Sequence, residues 1–250
     1  MNTALPRVPL CVRVTTGCHS FRTNHLLRLS ISGKSTLMVA LMRIVELSEG
    51  TILIDGQDIS AIGLAKLRSS VAVIPQDPVL FSGTVRSNLD PFNEFEDGVL
   101  YETLERAGLC SGKSIGSSNH SLSSLLQSQN HVDSLSDLVA ENGNNFSVGQ
   151  RQLLVIARAL LCGAKISILD EATASVDPET DAAIQKVMRT EFADATTITV
   201  AHRLNTIMDS DYILVMSDGL AAEFDTPDKL LKKGGMFRDL VQASAQGRNE

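Results

Sequence analysis

The chain has few cysteines, no long apolar run and no surplus of positive charge. Cys11, Cys18, Cys110 and Cys162 are its only cysteines, and no two form a CxxC pair. Cys18-His19 lacks a matching second pair, which argues against a zinc site. This sparse usage fits a reducing cytosol, and Cys162, at the end of an apolar helical run, reads as a small buried hydrophobe. No apolar run approaches the roughly 20 residues that cross a bilayer as a helix. Pro6, Arg7, Pro9 and Arg13 interrupt the first apolar stretch, so it does not read as a signal peptide. If the protein works at a membrane, its spanning part is expected outside this sequence. The net charge of -7 argues against nucleic acid as the main partner, because a phosphate backbone selects a basic face.

What is present suits one ordinary domain, or one with a small attached lobe: 250 residues, 43% apolar and 20% charged. Residues 1–28 carry no usable motif. The spacing predicts a helix over Ser35–Val45, a strand over Gly50–Gly56 and a strand over Val71–Pro75. Helices are expected over Leu100–Leu109 and Gln150–Leu161, with a serine-rich surface insertion over 111–137. Strands follow at Lys165–Leu169, Thr196–Val200 and Tyr212–Met216. A helix starts at Asp177-Pro178-Glu179, and Lys229–Ala245 reads as largely helical. Strands alternating with helices imply an α/β fold whose mainly parallel sheet is covered on both faces.

Chemistry gathers just past the strand ends, where open parallel sheets place ligand groups. Asp170-Glu171 follows an apolar strand; Asp170 suits a Mg²⁺ ion and Glu171 suits the polarising of an attacking water. Gly33-Lys34-Ser35-Thr36 opens a helix whose N-terminus can hold phosphate. There the lysine reaches the β- and γ-phosphates and Ser35 ligates Mg²⁺. Ser147-Val-Gly149-Gln150 precedes another helix and reads either as a second phosphate-binding end or as a plain cap. Gln76 and His202 each follow a strand, where a γ-phosphate or attacking water would lie, although a lone histidine is more often structural.

In order and spacing, Gly33-Lys34-Ser35, Gln76, Ser147-Val-Gly149-Gln150, Asp170-Glu171, Ser175-Val-Asp177 and His202 resemble the six motifs of the ATP-binding-cassette (ABC) family. The resemblance covers roughly residues 30–250. Gly50–Ile59, Ile74–Pro91, Ser147–Gln152 and Glu171 look like the second nucleotide-binding domain of the multidrug-resistance-associated (C) subfamily. It implies a P-loop NTPase with a RecA-like core and a helical signature lobe at about 92–160. It also implies an ATPase motor domain of an exporter, at the cytoplasmic face of a membrane, with ATP and Mg²⁺ as cofactors. Its partners would be transmembrane domains and a second nucleotide-binding domain, with ATP sandwiched between the two.

By that resemblance, Lys34 and Ser35 serve phosphate and metal, with Gly33 and Thr36 in the same loop. Asp170 and Gln76 support the metal, Glu171 is the base and His202 holds the γ-phosphate. Ser147, Gly149 and Gln150 serve the partner's ATP, and Asp177 crosses the dimer interface.

The sequence departs from the family at its phosphate loop. The G-x-x-x-x-G-K-[ST] pattern has Arg28 at its first glycine, and Ile31 stands where another glycine is usual. Side chains there hinder close backbone approach to phosphate. The chain lacks tryptophan, and Phe21 is the only aromatic residue before the loop, so the family's adenine platform is not evident. Phe146 replaces a usual leucine. Residues 1–31 are therefore expected to be a divergent segment outside the family match, of a mis-joined or decayed gene, with the N-terminal antiparallel strands incomplete; residues 32–250 form the cassette. The alternative reading is a degenerate, non-catalytic cassette or truncated fragment that no longer binds ATP well.

Overall fold

The computed structural model describes residues 10–14, 23–28, 34–47, 49–110, 132–170, 176–201, 207–217 and 220–246. In chain order, the elements begin with β1 (Leu10–Val14), β2 (Thr23–Arg28) and α1 (Lys34–Leu41). Next come β3 (Gly50–Ile54), β4 (Gln57–Asp58), α2 (Leu64–Ser69), β5 (Val71–Ile74), β6 (Gly83–Thr84), α3 (Val85–Leu89) and α4 (Asp97–Arg106). They continue with β7 (Leu138–Val139), α5 (Val148–Leu161), β8 (Ile166–Asp170), α6 (Pro178–Glu191) and β9 (Thr196–Ala201). The chain closes with β10 (Tyr212–Ser217), β11 (Leu220–Asp225), α7 (Pro227–Lys233) and α8 (Met236–Gln246).

Two compact units result. The first takes its described residues from Met1–Ala72, Lys165–Glu171 and Asp194–Glu250. Its sheet has the order β11-β10-β2-β9-β8-β5. β10, β2, β9 and β8 run parallel, and β11 turns back antiparallel on β10. β8 and β9 are buried on both faces, as a parallel strand between covering layers must be; Ser167, Thr196, Thr197 and Thr199 are buried along with Ile168, Ile198 and Val200. Paired neighbours share a sheet face. Ile168 pairs with Ile198 and Ile198 with Asn24, whereas Ile213 pairs with His25 and His25 with Thr199. The two apolar clusters therefore lie on opposite faces. One joins Ile168 and Ile198 to Ala40 and Leu41 of α1, Leu67 of α2 and Ile52 of β3. The other joins Ile213 and Val215 to Leu230 of α7 and Phe237 of α8. The α/β sheet covered on both faces is thus as the pattern implies.

A smaller sheet has the order β1-β3-β4. β3 and β4 form a hairpin through Asp55-Gly56, whose φ values of 50° and 80° are those of a tight primed turn. β1 joins β3 in parallel. Lys229–Ala245 is largely helical, as expected, in two helices parted where Gly234 takes a left-handed φ of 72°. One expectation needs correction. Cys162 is exposed, since it is the C-cap residue of α5 and lies beyond its buried stripe.

The second unit takes its described residues from Val73–Ala164 and Ala172–Ala193. It is built on α5, where Leu153, Leu154, Ile156 and Ala157 are fully buried, as are Leu100 and Leu104 of α4. Residues 132–137 are packed too: Val132 and Leu135 are buried, and Asp137 Oδ2 accepts from the backbone N–H groups of Asp133 and Ser134.

Candidate functional site

In the first unit, the carboxyl ends of β2, β9 and β8 emerge at one sheet edge because the three strands are parallel. Asp170 pairs with Val200, and Val200 with Leu26, so the register is level across that edge. β8 ends on Asp170, a half-buried carboxylate on the same face as Ile166 and Ile168, the face against which α1 packs. Lys34 and Ser35 open α1, and Thr36 in its first turn is exposed. Gly33, Glu171 and His202 lie outside the described residues; in sequence, Glu171 follows the end of β8 and His202 the end of β9.

The second unit carries the other predicted residues. Gln76 is exposed just after β5, and the preceding Pro75 carbonyl accepts from Gln152 Nε2 of α5 at 3.4 Å. Ser147 caps α5 in a reciprocal box: its hydroxyl accepts from Gln150 N–H at 3.1 Å, and Gln150 Oε1 accepts from Ser147 N–H at 2.8 Å. Gln150 is buried, while Ser147 is exposed. Gly149 is buried in the first turn of α5, against α6.

Asp177 caps α6 in the same manner, with Oδ1 accepting from Thr180 N–H at 2.9 Å and Pro178 at the first helical position. The Thr180 backbone N–H, and then its hydroxyl, hold the exposed Asp177 carboxyl below the usual aspartate range. A carboxyl depressed in the folded chain stabilises it fully above the unfolded pKa, and that contribution is lost as pH falls through the folded value. The melting gap between the parent and Asp177→Ala should therefore be constant from neutral pH down to about pH 4 and narrow below it. Melts taken at successive pH values check this; a gap that widens in acid would refute it.

Sequence reasoning missed Arg158. From α5 its Nε donates to Asn88 O at 2.5 Å, its Nη1 to Val79 O at 2.7 Å and its Nη2 to Asn88 Oδ1 at 2.6 Å. Its guanidinium carbon lies 5.9 Å from the Phe81 ring centre. Asn88 in turn accepts from Phe81 N–H and donates to Phe81 O. Arg158 thus fastens α5 to the segment that follows Gln76, and burial lowers its pKa. The signal in the sequence was a charge four residues after buried Leu154, on the apolar stripe of the helix. Among the described residues there is no group of three or more His, Cys, Asp or Glu side chains placed to hold a metal, and no helix long and apolar enough to cross a membrane.

The arrangement matches known proteins. The family model described as "ABC transporter" covers residues 23–174 and so takes in β2. The chain belongs to the ABC transporter family. It is 54% identical over 211 residues to ABC transporter C family MRP4 of Zea mays, covering 84% of this chain and 13% of that protein. To ABC transporter C family member 5 of Arabidopsis thaliana it is 52% identical over 214 residues, again 84% of this chain and 13% of the relative. The chain therefore spans about an eighth of the length of these relatives. The solved structure of a bacterial Atm1-family ABC exporter with ATP bound superposes with a TM-score of 0.75 at 31% identity, covering 90% of this chain and 37% of that one. The fold is that of a P-loop NTPase, and the chain is an ABC nucleotide-binding domain of the multidrug-resistance-associated (C) type.

Proposed function

We propose that this domain is the ATP-binding and ATP-hydrolysing motor of an ABC exporter. It works at the cytoplasmic face of a membrane, coupled to transmembrane domains and paired with a second nucleotide-binding domain. The observation that supports this most is the level sheet edge, where β8 delivers Asp170 in register with the carboxyl end of β2, the strand that precedes Lys34 and Ser35 in sequence. Lys34 and the first turn of α1 bind the β- and γ-phosphates, with Gly33 and Thr36 beside them. The carboxylate of Asp170, the hydroxyl of Ser35 and the amide oxygen of Gln76 are hard oxygen donors, which fit Mg²⁺. When bound, Mg²⁺ neutralises charge developing on the β- and γ-phosphate oxygens. Glu171 accepts a proton from the attacking water, and His202 holds the γ-phosphate. Ser147, Gly149, Gln150 and Asp177 face the nucleotide held by the partner domain. The resemblance to the second cassette of the C family fits Glu171 at this position.

One feature favours a second reading, a degenerate cassette that binds ATP poorly. β2 runs through Arg28, the position of the first loop glycine, and Ile31 follows. Calorimetric titration of the 250-residue chain with Mg-ATP separates the readings. The motor reading expects micromolar binding, tightened about tenfold in an Arg28→Gly, Ile31→Gly double variant because backbone N–H groups then reach the phosphates unhindered. Binding only in the double variant would establish the degenerate cassette instead.

A further inference from the structure

The first turns of α5 and α6 meet within the second unit. A β-carbon on Gly149 would lie 2.5 Å from Thr180 Cγ2, 3.4 Å from its Cβ and 3.6 Å from its Oγ1. Only the first of these is impossible, so the methyl group of Thr180 alone requires glycine at 149. Thr180 is 5% exposed. Its N–H donates to Asp177 Oδ1 at 2.9 Å, and its hydroxyl follows that N–H as a cause of the lowered Asp177 pKa. One buried residue therefore touches the signature turn with its methyl and holds the Asp177 carboxylate with its N–H.

We infer that Thr180 is a positioning residue that locks the Gly149 turn and Asp177 into one rigid piece. This rests on the proposed function in one respect: Gly149 and Asp177 are the residues assigned to the neighbouring domain's nucleotide. Two adjacent helix starts that present separate groups to one ligand act together only if their spacing is fixed, and here the spacing is fixed by a threonine in direct contact with both. Thr→Val keeps the methyl and deletes the hydroxyl, whereas Thr→Ser does the reverse, so the two contacts are separable.

The test uses the 250-residue chain with Thr180→Val, Thr180→Ser, Gly149→Ala and the Gly149→Ala, Thr180→Ser double variant. Thr180→Val should lower the melting temperature by about 3–5 °C at neutral pH and by less below about pH 4, while the Asp177 carboxyl, followed by NMR, titrates at higher pH than before. Its kcat for ATP should fall about tenfold at unchanged KM, the scale of a lost hydrogen bond to a charged group. Gly149→Ala should lower the melting temperature by about 5 °C, and the Thr180→Ser background should remove more than half of that loss. An unmoved Asp177 titration in Thr180→Val, or an equal loss from Gly149→Ala in both backgrounds, would overturn the inference. If the parent turns over no ATP, the motor reading fails on its own, and the melts and the titration still decide the role of Thr180.

Discussion

Glu171→Gln is expected to cut kcat for ATP by about 10²–10⁴-fold while Mg-ATP affinity stays within about threefold of the parent. Glutamine keeps the size of the side chain and one carbonyl oxygen but cannot take up a proton. In the roles proposed above, it removes the base and leaves the phosphate-binding groups of α1 and the metal donors in place. The placement behind this prediction is specific. β8 is buried through Leu169 and surfaces at Asp170, so the chain reaches the ligand edge of the sheet where the two carboxylates stand together in sequence. Their assigned tasks differ, one toward the metal and one toward water. Steady-state turnover and calorimetric titration of the variant, side by side, check the claim. An unchanged kcat would show that Glu171 is not the base, and an equal loss of affinity would assign it to nucleotide binding.

Arg158→Leu should destabilise the chain by about 3 kcal/mol in urea unfolding. Leucine fills much of the same volume, so the loss comes from polar groups left without their donor. Val79 O, Asn88 O and Asn88 Oδ1 each accept from the guanidinium, and Asn88 is 3% exposed. A buried carbonyl that loses a charged donor keeps its desolvation cost with nothing to offset it. Lysine should recover little, because an ammonium does not reproduce the planar fork that bridges Val79 and Asn88. A loss below about 1 kcal/mol would mean that the clamp is replaced by water.

Much of this fold is legible in the sequence because its core strands are short, apolar and rich in β-branched residues. β8, β9 and β10 fall within a residue of their expected bounds, and α5 begins at Val148 beside its serine cap. β1 and β2 were not legible. β2 reads Thr-Asn-His-Leu-Leu-Arg, which has neither alternation nor an apolar run, and its partners lie far along the chain. A parallel pairing leaves no local turn signal to announce it. The split between α7 and α8 turned on the backbone of one glycine, Gly234. At the candidate site, Asp170 was legible from its position at a strand end. The Thr180–Gly149 contact and the Arg158 clamp were not, since both arise from packing between segments that no spacing rule connects.

The seat of β2 between β10 and β9 also sets a timetable for assembly. It is made well before both of its neighbours, Thr196–Ala201 and Tyr212–Ser217. At ordinary elongation rates that interval is on the order of ten to thirty seconds. Throughout it, the backbone edges of β2 have no strand to pair with and remain open to other nascent chains. α3, α4 and α5, by contrast, are already synthesised and need no segment beyond Leu161 for their mutual contacts. Long-range parallel pairing is slow even once all parts are present. The edge that carries Asp170 is therefore completed last, and a ribosome that stalls before Ala201 releases a chain whose helical unit has its α3–α5 core but whose sheet lacks its centre.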